Sequence, residues 1–259
     1  MANTKTVLSI GATGSIGVHV VRQLVEKGYR TRAIVRDLER ASKVLPAEVE
    51  LFHGSPSDPE ILAKATDGVD AIVFTHGTHG EPGQAREVEY GFVKAALDAV
   101  QNRPEVFISL MTALGVTVHE GEFNRRSEGH DYKRRAERLV RMSGHPHVIV
   151  RPGWFDYNED DERKLQFLQG DKRRSGTPED GVVAREDIAR VLIDAIDIPE
   201  AASTTLELVA VKGESQSDLA PLFAALEHDV PGQPDAPLDP DTLPMSSEPQ
   251  WVLDDLKAA

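Results

Sequence analysis

The chain of 259 residues contains no cysteine. This absence excludes disulfide bonds, a thiol nucleophile and a cysteine-ligated metal, and it agrees with a reducing interior. Long apolar runs are also missing, since no stretch approaches the roughly 20 residues that a membrane-spanning helix requires. Residues 1–5 run straight into the first predicted strand and leave no room for a signal peptide. We therefore expect a cytoplasmic protein without a membrane contact.

Positive charge is scarce in this sequence. The 29 lysines and arginines are outnumbered by 43 aspartates and glutamates, which gives a net charge of −14. Such a balance disfavours broad association with nucleic acid or an anionic membrane, so any anionic ligand needs a local basic pocket. Acidic residues are concentrated at 158–162 and, together with prolines, after Glu227. We expect both segments to be solvated loops.

Strand-like apolar runs alternate with helix-periodic segments from end to end. This pattern predicts an α/β protein with a doubly wound, mainly parallel sheet, which is a Rossmann fold. The predicted strands lie at residues 6–10, 31–36, 49–53, 70–75, 105–110, 148–151 and 204–211. The predicted helices lie at residues 18–27, 39–45, 59–65, 85–102, 131–143, 185–196 and 216–227.

Two parts follow from this organisation. Residues 1–228 form the predicted Rossmann domain, in which an insert from about residue 152 folds over the carboxyl edge of the sheet and supplies substrate contacts, because open α/β sheets bind ligands at that edge. Residues 229–259 contain few long apolar runs and are predicted to form an extended strap or a partly disordered tail. Trp251 and Leu253 are available to anchor its end.

A glycine-rich loop follows the first predicted strand and opens the first predicted helix. Gly11 permits a tight turn, Gly14 lets backbone N–H groups approach a pyrophosphate, and Gly17 lets the helix pack closely. The phosphate would then lie at the positive end of the helix. We predict a dinucleotide-phosphate site made of Gly11, Thr13, Gly14, Ser15, Ile16 and Gly17.

The end of the second predicted strand indicates which dinucleotide is bound. An acidic residue there would accept hydrogen bonds from a free ribose 2′-hydroxyl, whereas a guanidinium pairs with a 2′-phosphate. The strand ends in Arg36, which favours NADP over NAD. The alternative is a surface arginine paired with Asp37 or Glu39.

Five segments in this order carry a family resemblance. They are GATGSIG at 11–17, AIVRD at 33–37, KRRAERLVRMSG at 133–144, HVIVRPGWF at 147–155 and VVAREDIARVLIDAI at 182–196. Over residues 5 to 228 the chain resembles the atypical, extended-like short-chain dehydrogenase/reductase superfamily, in particular its NmrA-like and biliverdin-reductase-B-like group. The resemblance implies cofactor contacts at Arg36, at Thr75, His76 and Gly77, at Ser109, and at Pro152 and Gly153.

The proton donor of active members of that superfamily is missing. They place a tyrosine four residues before a lysine, and aligning Lys133 with the family lysine leaves Gly129 at the tyrosine position. Lys133 is then expected to hydrogen-bond the nicotinamide ribose, with Glu137 one turn later as its partner or as a cap on the site. The alternative is an exposed Lys133–Glu137 pair on a helix surface.

Several other groups are candidates for the chemistry. We predict catalytic roles for Lys133, His76 and Ser109, although Ser109 could serve the core alone. His76 is favoured as the acid because it lies at a strand end and has an ordinary pKa near neutrality. The remaining candidate acids are Tyr90, Tyr132 and Tyr157.

The histidines show no convincing metal-ligand spacing. His76 and His79 are three residues apart, but Gly77 and the glycines that follow indicate a loop instead of a helix, so we expect a metal-free site. Trp154 and Phe155 are expected to form an apolar substrate wall, or else to pack beneath the insert.

Two functions are compatible with this sequence. The first is an NADP-dependent oxidoreductase that passes hydride between NADPH and a small organic substrate such as a quinone, flavin or carbonyl compound. The second is a non-catalytic NADP sensor, as in NmrA-like proteins, which the missing tyrosine favours. A sugar-nucleotide epimerase or dehydratase is a poorer third choice. A homodimer or a complex with another protein is compatible with either of the first two.

Overall fold

A ten-stranded sheet forms the centre of the structure, a computed structural model that describes residues 4–78 and 80–259. Seven strands lie side by side in the order β3-β2-β1-β4-β5-β6-β10 and all run parallel. Short β8 and β9 pair antiparallel with β10, and β7 pairs with β9. Strand order reverses between β1 and β4, so a crevice forms there at the carboxyl edge.

The strands are β1 (Thr6–Ile10), β2 (Arg30–Val35), β3 (Glu50–His53), β4 (Ala71–Phe74), β5 (Phe107–Met111), β6 (His147–Pro152), β7 (Trp154–Phe155), β8 (Lys164–Leu168), β9 (Val182–Val183) and β10 (Thr204–Val211). The α-helices are α1 (Gly17–Glu26), α2 (Leu38–Val44), α3 (Pro59–Thr66), α4 (Phe92–Val100), α5 (Glu122–Ser127), α6 (Gly129–Met142), α7 (Arg185–Asp194), α8 (Ala220–Phe223) and α9 (Gln250–Ala258). A π-helical segment, Arg86–Gly91, precedes α4 directly.

Helices cover both faces of the sheet, which confirms the predicted doubly wound fold. On one face α1 and α7 bury apolar side chains such as Leu24 and Leu192 against the strands. On the other face α3, α4, α6 and α9 bury a second cluster that includes Leu97 and Leu139. Each central strand is therefore apolar on both sides, as parallel strands require. Among the described residues, no helix is both long and apolar enough to cross a membrane.

Local signals fix several helix starts. The side chain of Asp37 accepts a hydrogen bond from the backbone N–H of Arg40 and caps α2. Asp58 does the same for α3, where Pro59 occupies the first turn and has no N–H that needs an acceptor. Both helices therefore begin shortly after the strands that precede them, β2 and β3, at the carboxyl edge of the sheet.

Two predicted helices differ from the structure. The segment 85–102 is divided between the π-helical segment and α4, because a π turn breaks the 3.6-residue period. The segment 216–227 is helical only over Ala220–Phe223. The short strands β7, β8 and β9 and the helix α5 lie in segments that the sequence pattern left unassigned.

The acidic C-terminal segment is not a solvated loop, so that expectation is wrong. Residues 229–248, called the strap below, cross α6 and the end of β6. Four strap carboxylates form ion pairs with five buried arginines of α6 and β6: Asp229, Asp235, Asp239 and Glu248 with Arg134, Arg135, Arg138, Arg141 and Arg151. The side chains of Glu248 and Asp239 are only 0% and 1% exposed. The other acidic run, Glu159 to Asp161, is exposed as expected.

Helix α9 follows the strap and anchors it to the sheet. Val252 and Leu256 are buried against the α4 and α6 face of the sheet, and Trp251 packs edge-on against Tyr90 with ring centroids 5.4 Å apart. The expected anchoring role of Trp251 is therefore confirmed. Leu253, two residues further along the chain, is only partly buried.

Candidate active site

The glycine loop wraps against the end of β4. Gly11 has a φ of +99°, and a Cβ atom there would stand 2.5 Å from the backbone nitrogen of His76. A Cβ atom on Gly17 would stand 2.0 Å from the carbonyl oxygen of Gly11, so the close packing that Gly17 permits is against the loop itself. The Thr75 hydroxyl donates to the same Gly11 carbonyl at 3.5 Å. Only glycine fits at these two positions, because the surrounding atoms are backbone.

Backbone N–H groups of this loop are available to a ligand. Within the described part of the chain, Gly14 donates to the Gly11 carbonyl, whereas the amides of Thr13, Ser15 and Ile16 donate to no protein acceptor. The Ile16 side chain is buried in the core, so its contribution to a ligand is its backbone alone. Free amides at the first turn of α1 form an anion site, and they fit the pyrophosphate of a dinucleotide.

Two guanidinium groups lie beside this loop. Arg36 follows β2, is exposed, and makes no ion pair or side-chain hydrogen bond with any described residue. The two acids proposed as its alternative partners are used elsewhere, since Asp37 caps α2 and Glu39 binds Lys43. Arg40 was missed by sequence reasoning. Its Nη2 donates to the carbonyl oxygen of Thr13 at 3.2 Å. The sequence indicates Arg40 only as a basic residue one helical turn after Arg36.

The loop after β4 carries His76 next to the glycine loop. Its ring packs edge-on against Phe74 and Phe92, with centroids 5.7 and 5.5 Å away, and its buried Nδ1 has no partner among the described residues. Burial lowers the pKa of His76 to about 4; Lys133 adds to this effect and Glu89 opposes it. The imidazole is therefore neutral near pH 7, and the expectation of a pKa suited to proton transfer there is wrong.

Lys133 binds a carboxylate that sequence reasoning missed. Its Nζ lies 2.6 Å from Oε2 of Glu89 in the π-helical segment, and the two side chains are 15% and 3% exposed. The expected pairing with Glu137 is wrong, because Glu137 binds Arg141 and Arg151 instead. Glu89 could not be found from periodicity, since the π turn shifts the helical register that would have placed it.

Ser109 does not belong to this site. It lies in the middle of β5, is 0% exposed, and donates its hydroxyl to the carbonyl oxygen of Leu192 at 2.9 Å. The predicted catalytic and cofactor roles of Ser109 are therefore wrong, and its core role stands. The hydroxyl nearest the end of β5 is that of Thr112, which donates to Oε1 of Glu137 at 2.7 Å.

Pro152 and Gly153 end β6 at the same edge of the sheet. A Cβ atom on Gly153 would stand 2.5 Å from the carbonyl oxygen of Gly181, so this glycine is needed where two backbones meet. Both residues are buried. Trp154 and Tyr157 follow and are exposed by 39% and 63%, with ring centroids 6.0 Å apart.

The tyrosine candidates lie in other surroundings. The hydroxyl of Tyr90 donates to Oδ2 of Asp255 in α9 at 2.8 Å. Tyr132 stacks on Trp251 with ring centroids 6.4 Å apart, and burial raises its pKa. Both rings therefore pack beneath α9, and neither hydroxyl binds Lys133. Of the two histidines considered as metal ligands, His79 lies outside the described residues. Residues 4–78 and 80–259 contain no group of three or more histidine, aspartate or glutamate side chains that could hold a metal ion.

Together, the reversed strand order and the glycine loop define a Rossmann protein with a dinucleotide site. A family model described as NAD(P)H-binding matches residues 11–199, so the chain belongs to this NAD(P)H-binding family. The resemblance to atypical short-chain dehydrogenases/reductases is thereby confirmed.

Individual relatives include reductases. Sanguinarine reductase of Eschscholzia californica is 24% identical over 262 residues, which cover 85% of this chain and 95% of the relative. Among solved structures, the anaerobillin reductase ChuY of Escherichia coli O157:H7 has a TM-score of 0.63 at 20% identity, covering 79% and 97% of the two chains. A short-chain dehydrogenase/reductase of Veillonella parvula in complex with NADP has a TM-score of 0.59 at 16% identity, covering 83% and 100%. These two structural likenesses show the shared fold.

Proposed function

We propose that this protein is an NADPH-dependent reductase of a small, easily reduced organic compound, such as a quinone, flavin or carbonyl compound. The observation that carries the proposal is the glycine loop. The loop that carries the free amides also packs, at Gly11, against the backbone of Thr75 and His76. In this proposal, the crevice at the carboxyl edge of the sheet holds the pyrophosphate at the glycine loop and the nicotinamide near Lys133 and Glu89.

The preference for NADPH is argued from Arg36 and Arg40. Both guanidiniums lie beside the glycine loop without a carboxylate partner among the described residues, in a protein whose net charge is −14. A 2′-phosphate offers each of them a charge-assisted hydrogen bond.

Arg36→Asp tests this preference. We expect the dissociation constant of NADPH to rise at least tenfold more than that of NADH, since one charge-assisted bond of about 1.5–3 kcal/mol is lost. The measurement is fluorescence titration of both cofactors. Arg30→Asp, at the opposite end of the same strand, is the matched control and should change neither. Equal weakening of both cofactors by Arg36→Asp would contradict the NADPH preference.

The residues present fit the cofactor as follows. The amides of Thr13, Ser15 and Ile16 hold the pyrophosphate, and Lys133 donates to the nicotinamide ribose. NADPH supplies the hydride when bound. The chain holds the two reactants together and excludes water, and an easily reduced acceptor needs little more from the protein. This accounts for a site without the family tyrosine and with a neutral His76.

The aromatic side chains of Trp154 and Tyr157 suit a flat substrate. Both are exposed, lie close together, and follow β6 at the carboxyl edge of the sheet. A planar ring system stacks favourably on such side chains. The relative named sanguinarine reductase supports a reductase activity toward a small organic compound.

The experiment is to follow NADPH oxidation by purified protein with a panel of quinones, flavins and aldehydes. Turnover that falls at least tenfold in Trp154→Ala, while NADPH affinity stays constant, supports a reductase with its substrate on this wall. Tight NADPH binding with no turnover on any acceptor contradicts the reductase.

The second candidate is an NADP-responsive sensor. It is favoured by the position of Tyr132, which packs under α9 instead of supplying a phenol acid beside Lys133. A sensor must bind its partner differently with and without cofactor. Capture of a second protein, or of a second copy of this chain, only in the presence of NADPH would support it.

A further inference from the structure

Glu89 is a buried carboxylate, and each of its two oxygens accepts at least one hydrogen bond from a described residue. It receives hydrogen bonds from the backbone N–H and the hydroxyl of Thr78, at 2.7 and 2.8 Å, and it binds Lys133 Nζ at 2.6 Å. Burial opposes its ionisation, but the Lys133 ammonium and the hydrogen bond from the Thr78 backbone hold the pKa of Glu89 below its ordinary value. The group is therefore a carboxylate at neutral pH.

The π-helical segment aims this carboxylate inward. Within Arg86–Gly91, the side chains of Arg86 and Glu87 are exposed, whereas Glu89 and Tyr90 are buried. A π turn is a local departure from the α-helix that is frequent at functional sites. An acidic side chain is costly to bury unless it is paired, so its place here requires the Lys133 ammonium.

Contacts connect this pair to the dinucleotide site. Thr78, which binds Glu89, lies two residues after His76, whose backbone nitrogen touches the position of Gly11. Lys133 lies at the start of the second turn of α6. Its contact with Glu89 connects it to the same loop. The ion pair thus lies beside the end of the crevice that the proposed function assigns to nicotinamide.

We propose that Glu89 is a positioning residue that also cancels the charge of Lys133. The carboxylate fixes the ammonium where it can donate to the nicotinamide ribose, and the pair presents no net charge to the nicotinamide ring. This inference rests on the proposed function, because it assumes that the cofactor binds beside Lys133.

The charge matters because the two redox forms of the cofactor differ at the ring. The oxidised ring carries a positive charge that the reduced ring lacks. In active relatives with the family tyrosine, the lysine charge lowers the phenol pKa. Here Lys133 pairs with Glu89, and no hydroxyl of a described tyrosine binds it, so a bare ammonium would only oppose the oxidised ring. A neutral Glu89–Lys133 pair removes that repulsion.

Charge-changing variants test the inference by the ratio of NADP⁺ to NADPH dissociation constants, measured by titration without any substrate. Glu89→Gln keeps an oxygen acceptor for Thr78 but leaves Lys133 uncompensated, so the ratio should rise about tenfold, as expected for one charge several Å away in a partly screened site. Lys133→Met should lower the ratio, because it leaves the carboxylate alone. The double variant should return the ratio close to that of the original protein.

Glu87→Gln is the matched control, since Glu87 is exposed on the same π-helical segment, and it should leave the ratio unchanged. Thermal unfolding of each variant checks that the fold is intact, and Lys133→Met tests the inference even if Glu89→Gln does not fold. Ratios that stay within twofold in folded variants would overturn the inference. Absence of binding of either cofactor to the original protein would instead overturn the proposed function.

Discussion

At the residue scale, Gly17 shows how one position depends on the backbone around it. The sequence identifies this residue from its spacing to Gly11 and Gly14, and the structure gives the physical reason. The carbonyl oxygen of Gly11 occupies the space where a side chain would begin. A methyl group there would push the loop away from α1 and displace the amides that face the ligand.

We predict that Gly17→Ala raises the NADPH dissociation constant more than tenfold. The expected reason is loop displacement, because a contact of 2.0 Å with backbone cannot be relieved by a rotamer change. Isothermal titration calorimetry is the measurement. Gly91→Ala is the control, since its nearest atom lies 3.4 Å away and the position is helical, so binding should not change. Unchanged affinity in Gly17→Ala would refute the role given to this loop.

Residues around the site were predicted unevenly from sequence. Glycines and Arg36 could be placed because they stand at fixed distances from a strand end. Ser109 could not be placed, because β5 continues to Met111 and the serine hydroxyl binds the carbonyl oxygen of Leu192 in the core, a tertiary contact that no local pattern indicates. The properties of His76 depend on Phe74, Phe92 and Glu89, which no local pattern brings together.

At the scale of elements, α6 uses two faces differently. One face presents Lys133 to the site, and the other presents arginines to the strap. Glu137 lies between them and binds both Arg141 and Arg151, which hold the pKa of Glu137 at about 2 against the effect of burial. The helix that carries the candidate site is therefore fixed from behind by ion pairs.

We predict that Arg151→Met lowers the free energy of unfolding by about 3–5 kcal/mol, because it leaves buried Asp239 without its cation. Urea unfolding is the measurement. Lys43→Met, which breaks the exposed pair with Glu39, should cost about 0–1 kcal/mol. Adding Asp239→Leu to Arg151→Met should recover part of the loss. A cost below 1 kcal/mol for Arg151→Met would show that this network does not support the fold.

The elements themselves were largely predictable. The seven parallel strands and the main helices lie within about two residues of the predicted bounds, because each carries an apolar run of the right period. The strap was not predictable. The sequence pattern of the strap predicts solvent-exposed carboxylates, and that of α6 predicts a polar surface helix. Both are buried because their charges pair with each other, which only the tertiary structure shows.

At the scale of the whole molecule, the strap makes residues 1–228 and 229–259 interdependent. We predict that a chain ending at residue 228 does not fold, since five buried arginines would lose their strap carboxylates. Circular dichroism and a thermal unfolding scan provide the measurement. A chain ending at Lys257 is the control and should fold normally. A cooperative unfolding transition in the 1–228 chain would instead support the predicted domain boundary.

Stability should also depend on pH through Glu207. Burial raises the pKa of Glu207 to about 7 from an ordinary value of 4.5, with Arg151 opposing the shift. A raised pKa in the folded state contributes stability below pH 4.5 that is lost as the pH rises through 7. Relative to Glu207→Gln, the original protein should therefore lose about 3 kcal/mol of unfolding free energy over this interval. A difference between the two proteins that does not vary with pH would contradict this.

The position of the strap in the chain has a consequence for biosynthesis. Residues 229–248 leave the ribosome well after α6, yet they neutralise charges buried in that helix, about a hundred residues earlier in the chain. The growing chain therefore cannot fix the half of the crevice that carries Lys133 before residues 229–248 have left the exit tunnel.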